Sequence, residues 1–157
     1  MAHSKPGREG SLGAVLVVAS VICIGSIIGV INTPDAWYQA LNKPSFNPPP
    51  WIFAPVWTSL YVLIGIAGWR SIFVKNDRLL TSLWFIQMVL NFAWSPAFFG
   101  LKAPFAALII ILALACTTAL YVLYAWKRDR PASLMFVPYI LWVAFASVLN
   151  AAIVWLN

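Results

Sequence analysis

Residues 37–61 read WYQALNKPSFNPPPWIFAPVWTSLY. The stretch holds five prolines, Pro44, Pro48, Pro49, Pro50 and Pro55, and three of the nine tryptophans. Proline lacks an N–H and disfavours helix in the residue before it, so this run cannot be helical throughout. Its large aromatic side chains nonetheless demand burial or an interface. An ordered aromatic cap joining two membrane helices meets both constraints, provided that the flanking sequence is membranous.

Composition supplies that proviso. The chain of 157 residues is 62% hydrophobic and only 9% charged, with a mean hydropathy of +0.87. Those values lie outside the range of soluble domains. A spanning helix needs about 20 mostly apolar residues, and five segments meet this: 12–31, 51–74, 79–100, 103–126 and 131–155. The links KNDR, LK and KRDR between the later segments are short, which forces neighbouring helices to run antiparallel. The fold class expected is therefore an all-α membrane protein, residues 1–157 forming one five-transmembrane-helix bundle with a structured Pro-rich loop (32–50) between helices one and two.

The formal charge of +6 does not make this a nucleic-acid binder, because the basic residues form no single patch. Lys5, Arg8, Arg70, Lys75, Arg78, Lys127, Arg128 and Arg130 fall on the N-terminal side of the bundle, and only Lys43 and Lys102 on the other. Eight against two is a positive-inside bias that places the N-terminus in the cytoplasm. Loop 32–50 then faces the periplasm of a bacterial inner membrane. The basic N-terminal tail precedes a long apolar run without a small-residue cleavage site, so the first span reads as retained rather than as a removed signal peptide. Cys23 and Cys116, in separate apolar segments without metal spacing, read as buried packing residues rather than a disulfide.

Within the loop, Thr33-Pro34-Asp35 has the form of a helix start, with Thr33 as N-cap and Pro34 at the first helical position. A short helix to about Asn42 follows, then extended, polyproline-like backbone to Pro50. Prolines preset φ, so ordering this loop loses less entropy than ordering a Gly/Ser loop.

The polar residues of the spans carry the functional information. The third segment has Gln87, Asn91 and Ser95 at intervals of four, with Trp84 and Trp94 nearby. The fifth has Trp142, Ala146 and Asn150 at the same interval, with Pro138 and Tyr139 a turn earlier, and the second has Trp57 and Tyr61. Intervals of four share a helical face, and amide side chains in hydrocarbon need partners, so these faces point into the bundle. They serve either as interhelical glue or as the wall of a cavity, whose aromatic lining and few polar groups suit a flat, mostly apolar ligand. Gly25/Gly29 in the first segment and Ala93/Ala97/Gly100 in the third are small-residue rows that permit close helix contact, within the protomer or across a dimer.

Other chemistry finds little support. Glu9, Asp35, Asp77 and Asp129 all fall in the tail or in loops, so coupled ion transport lacks intramembrane carboxylates, while Arg70, Lys75, Lys102 and Lys127 sit near helix ends where they can snorkel. The sole histidine is His3. No metal cluster, hydrolytic triad or phosphate loop is expected.

WYQALNKPSFNPPPW (37–51), PVWTSLY (55–61), LNFAWSPAFFG (90–100) and VPYILWVAFASVLN (137–150) together resemble the TspO/MBR family of tryptophan-rich sensory and translocator proteins, in order and spacing over nearly the whole chain. The resemblance implies a five-helix bundle that often forms a homodimer, and a pocket beneath the first loop. That pocket takes porphyrins such as protoporphyrin IX or haem, sterol-like lipids and benzodiazepine-site ligands, with no required cofactor. By position it would be lined by Tyr38, Trp57, Asn91, Ser95, Trp142 and Ala146. The sterol-recognition pattern of animal members is not carried after Asn150, where AAIVWLN has neither Tyr nor Arg, although residues 122–127 (VLYAWK) match the same loose pattern. The function implied is a porphyrin-binding membrane sensor or regulator. Alternatives are a porphyrin or lipid transporter, a light- and oxygen-dependent porphyrin-degrading protein, and a purely structural role.

Overall fold

A computed structural model describes residues 8–157, with side chains from Gly10 onward. The tail with His3 and Lys5, and the side chains of Arg8 and Glu9, lie outside the described residues. Six helices form, and no strand among the described residues: α1 (Arg8–Ile31), α2 (Ala36–Ala40), α3 (Phe53–Trp69), α4 (Arg78–Ser95), α5 (Pro104–Arg128) and α6 (Arg130–Leu156). A 3-10 turn (Pro50–Ile52) opens α3, and wide π turns (Arg70–Val74 and Pro96–Gly100) extend α3 and α4. Around the bundle α1 packs on α3, α3 on α6, α6 on α5 and α5 on α4, with a slighter contact from α4 back to α1.

Four helical segments, Gly10–Ile31, Pro50–Val74, Pro104–Arg128 and Arg130–Leu156, are long and apolar enough to cross a membrane. The sequence predicts five. The one that falls short is α4, because it concentrates the polar residues: Thr81, Ser82, Gln87, Asn91 and Ser95 interrupt its apolar run. Pro96 cannot donate to the preceding turn, and the helix closes instead through Leu101 N–H to Pro96 O, at 2.8 Å.

Apolar side chains pack inward from every long helix, with Leu60 and Ile64 of α3, Trp84 and Met88 of α4, Tyr121 of α5 and Phe136 and Val143 of α6 in one cluster. The outward residues are equally apolar: Val15, Leu16, Ile27 and Val30 of α1 are exposed. A helix apolar on all sides is what a lipid environment requires. Close approach of α1 to α3 rests on two glycines. A Cβ at Gly65 would stand 2.7 Å from the Val18 Cα, and one at Gly25 would run into the Tyr61 ring. Gly29 meets nothing within 4 Å, so the first small-residue row serves contact inside the protomer at Gly25 alone. In the third segment Ala97 is buried, and a Cβ at Gly100 would lie 2.8 Å from Asn32 Oδ1.

Three sequence expectations are corrected. Cys23 and Cys116 are free but exposed on the outer surface, since each lies on the lipid-facing side of its helix. The loop helix begins two residues later than Thr33-Pro34 suggests, with Asp35 as N-cap accepting from Tyr38 N–H at 3.2 Å. Arg70 does not snorkel. Its Nε and Nη2 donate to both carboxylate oxygens of Asp129 at 2.9 and 2.8 Å, and the Asp129 side chain is fully buried. Beside this pair Ser71 and Tyr121 share a 2.8 Å hydrogen bond, and Thr81 donates to Ser71 O. The α3, α4, α5 and α6 ends are thus tied together.

Breaking a buried ion pair by removing one partner typically costs 3–5 kcal/mol, whereas an apolar pair of similar volume is often neutral. Asp129→Ala is therefore expected to cost about 3–5 kcal/mol, read as a lowered unfolding midpoint in detergent. Arg70→Met/Asp129→Leu recovers most of that loss. An Asp129→Ala protein as stable as the parent would show that the pair contributes nothing.

Candidate functional site

Four side chains from three helices form one hydrogen-bonded chain across the bundle. Tyr61 OH of α3 donates to Asn91 Oδ1 of α4 at 3.3 Å, and Asn91 Nδ2 donates to Tyr139 OH of α6 at 2.8 Å. Tyr139 OH then donates to Gln87 Oε1, back on α4, at 3.0 Å. Gln87 and Tyr139 are fully buried and Asn91 nearly so. The interval of four between Gln87 and Asn91 lets both amides reach one tyrosine. Each polar group here has left water, so each needs its partner.

Aromatic rings stand over this chain on the loop side. Trp57, one turn before Tyr61, lies with its ring centroid 5.4 Å from Tyr61 and 6.4 Å from Tyr139. Trp142, one turn after Tyr139, meets Phe53 edge-on at 5.9 Å and Phe145 at 5.6 Å. Ala146, four residues beyond Trp142, is half-buried against the same core. Among the described residues two buried donors lack a partner: Gln87 Nε2 and the Trp142 indole Nε1. A groove of about 600 Å³, lined by Pro55, Val56, Ser59, Leu60, Leu63, Pro138, Leu141 and Trp142, opens on the outer face between α3 and α6. Trp142 therefore belongs both to the interior wall and to a groove facing lipid.

Of the six residues predicted for the site, Trp57 and Asn91 each contact Tyr61 and Tyr139, and Trp142 and Ala146 pack against the same core. Ser95 is half-buried one turn beyond Asn91. Tyr38 lies apart from them, packed edge-on against Phe98 and Phe99 at 6.2 and 5.3 Å. Its hydroxyl reaches Asn47 Oδ1 at 3.5 Å, the Lys43 Nζ sits 4.7 Å over its ring, and burial pushes its phenol above the usual range. Asn150, on the same predicted face as Trp142, serves as glue: it accepts from Trp94 Nε1 at 3.1 Å and donates to Pro104 O at 2.9 Å. Phe53, Phe98 and Phe99 are site-side aromatics that sequence reasoning missed, because a phenylalanine in a membrane helix carries no signal of its own. Tyr61, Gln87 and Tyr139 were visible by spacing as inward residues, but not as the connecting chain.

The loop above is fastened at several points. Asp35 pairs with Lys102 at 2.8 Å, and that lysine holds its carboxyl below the usual range. Asn42 and Asn157 pair reciprocally: Asn42 N–H donates to Asn157 Oδ1 at 2.9 Å, and Asn157 Nδ2 donates to Asn42 O at 3.1 Å. Lys102 adopts φ of 53°, a left-handed conformation that is uncommon for a side chain of this kind.

The TspO/MBR family model matches residues 14–156. The chain belongs to the TspO/MBR family. It is 40% identical to the Tryptophan-rich protein TspO of Archaeoglobus fulgidus over 149 residues, covering 93% of this chain and 95% of that one. A second Tryptophan-rich protein TspO, from Chlorobaculum tepidum, is 39% identical, covering 90% of this chain and 97% of the relative. The Translocator protein of Ovis aries is 37% identical over 123 residues, covering 73% and 70%. Together with its four apolar helices, membership makes this an integral membrane protein.

In this TspO/MBR protein Tyr139 is the junction of the polar chain. Tyr139→Phe removes one hydroxyl and leaves Gln87 Oε1 and Asn91 Nδ2 buried without it. Each such orphan costs about 1–3 kcal/mol, so the variant is expected to lose about 2–6 kcal/mol of stability in thermal unfolding. A loss below 0.5 kcal/mol would mean that the amides re-pair with each other.

Proposed function

We propose that the protein is a membrane sensor or regulator that binds a tetrapyrrole, or a sterol-like or benzodiazepine-site ligand, between the loop and the polar chain. The observation that carries this reading is the pair of buried donors left without acceptors, Trp142 Nε1 and the Nε2 of Gln87, whose oxygen accepts from Tyr139, a ring 6.4 Å from Trp57. Large aromatic faces with a few unpaired donors suit a planar, mostly apolar ligand edged with oxygen acceptors. The ring would stack between Trp57 and Trp142, with Asn91, Ser95 and Ala146 forming the floor and wall. Loop 32–50 would close over it, Tyr38 swinging with the lid. The relatives' names, Tryptophan-rich protein TspO and Protein CrtK of Rhodobacter capsulatus among them, are consistent with a membrane protein of this class.

The remaining topology belongs to the same proposal. α4 with its π turn completes the fifth span, its outward Phe85, Ile86 and Val89 facing lipid or a second copy in a homodimer. The charge asymmetry puts the N-terminus in the cytoplasm and the loop in the periplasm. A second reading, facilitated transfer of porphyrin or lipid, is favoured by the groove between α3 and α6, which would let a lipophilic ligand reach Trp142 from the bilayer. Proteoliposome flux above empty-vesicle controls would support it.

Loss of one stacking aromatic is worth about 0.5–1.5 kcal/mol, so Trp142→Ala should weaken protoporphyrin quenching of tryptophan fluorescence about three- to tenfold. Unchanged affinity would remove Trp142 from the site.

A further inference from the structure

Leu120, Leu123, Tyr124, Lys127 and Arg128 line a groove of about 460 Å³ on the end of α5. Their spacing is i, i+3, i+4, i+7 and i+8, one continuous face of the helix. Leu120 and Leu123 are 56% and 69% exposed, so no part of the described protein covers the apolar half. Over about 12 Å of helix the face changes from leucine through tyrosine to two cations. That is the order a lipid presents, from acyl chain to headgroup.

The polar half is held in place. Arg128 lies 5.6 Å from the Tyr124 ring centroid, and Tyr124 OH donates to Asp77 Oδ2 at 3.4 Å. The other Asp77 oxygen caps α4, accepting from Leu79 N and Leu80 N at 2.9 and 3.1 Å. The nearby carboxylate is therefore engaged with the α4 N-terminus. Among the described residues the ion pairs are Arg70–Asp129 and Lys102–Asp35, and neither Lys127 nor Arg128 takes part. Arg130, by contrast, stacks over Trp126 at 4.4 Å.

We propose that this face of α5 binds an anionic phospholipid of the surrounding bilayer, an acyl chain lying along Leu120 and Leu123 and the phosphate between Lys127 and Arg128. Guanidinium matches phosphate with a fork of donors and ammonium adds a point charge. A sterol hydroxyl, which the loose match at 122–127 would suggest, has no use for the second cation. Lys and Arg side chains at the membrane surface attract anionic headgroups, at about 1 kcal/mol each.

The test uses the full chain purified in a neutral detergent, with bound lipid counted by native mass spectrometry. The probes are phosphatidylglycerol, phosphatidylcholine, cholesterol and inorganic phosphate. Phosphatidylglycerol is expected to bind well ahead of the other three. Lys127→Gln/Arg128→Gln should lower its affinity tenfold or more, at roughly fivefold per cation. Lys75→Gln/Arg78→Gln removes the same charge from the same end of the bundle, outside the groove, and should change it less than twofold. All four side chains are exposed, so an unchanged unfolding midpoint checks that each variant is folded, and the parent's preference for phosphatidylglycerol is a measurement independent of any variant. Equal loss in both double variants would overturn the site in favour of diffuse surface charge. Equal binding of phosphatidylcholine or cholesterol, or displacement by millimolar phosphate, would overturn the proposed occupant.

Discussion

Amide and phenol groups placed in hydrocarbon have no solvent to fall back on, and the interior of this bundle is organised by that constraint. Tyr61, Asn91, Tyr139 and Gln87 can be satisfied only by one another, because each comes from a helix surrounded by apolar neighbours. Their pairing fixes the rotation of α3, α4 and α6 about their own axes, which apolar packing against lipid leaves undetermined. Once those rotations are set, Trp57 and Trp142 must stand a turn to the loop side of the tyrosines. The aromatic wall is a consequence of the polar chain, not a separate feature.

The same constraint explains why α4 is the least apolar of the long helices. A helix that supplies Gln87 and Asn91 to the centre, and Thr81 to the α3 end, gives up hydropathy for specificity. Packing on α5 and the hydrogen bonds hold it in the bundle. Its π turn at Pro96 has a related cause. The missing proline N–H widens the last turn and brings Phe98 and Phe99 under Tyr38, so the helix end meets the loop.

Periodicity revealed which faces turn inward, because amides at intervals of four leave few other arrangements. Gln87 and Asn91 were legible for that reason, as was Trp57 beside Tyr61. The partners of those residues were not legible, since the axial register of α4 against α6 decides whether Asn91 meets Tyr139 or Asn150. Tyr38 shows the limit most clearly. Its position follows from where the loop helix starts, and Asp35 displaces Thr33 as the cap because its carboxylate can bind Tyr38 N–H and Lys102 together. The Arg70–Asp129 pair was hidden for a different reason. Both residues look like ordinary helix-end charges, and only folding shows that the carboxylate is buried.

The two ends of the bundle are fastened by interactions of unequal strength, and this bears on where it can open. At the α5–α6 turn a bidentate pair with a fully buried carboxylate joins α3 to α6, next to the Ser71–Tyr121 bond. Parting those groups would strand a charge in a dry site. At the loop end the fastenings are exposed: Asp35–Lys102, with both side chains about half accessible, and the Asn42–Asn157 pairing. Exposed ion pairs contribute little, and water replaces the asparagine hydrogen bonds at little cost. Local opening follows the weakest cooperative unit. Here that unit is the loop, so residues 32–50 part from the bundle more readily than the α5–α6 end does.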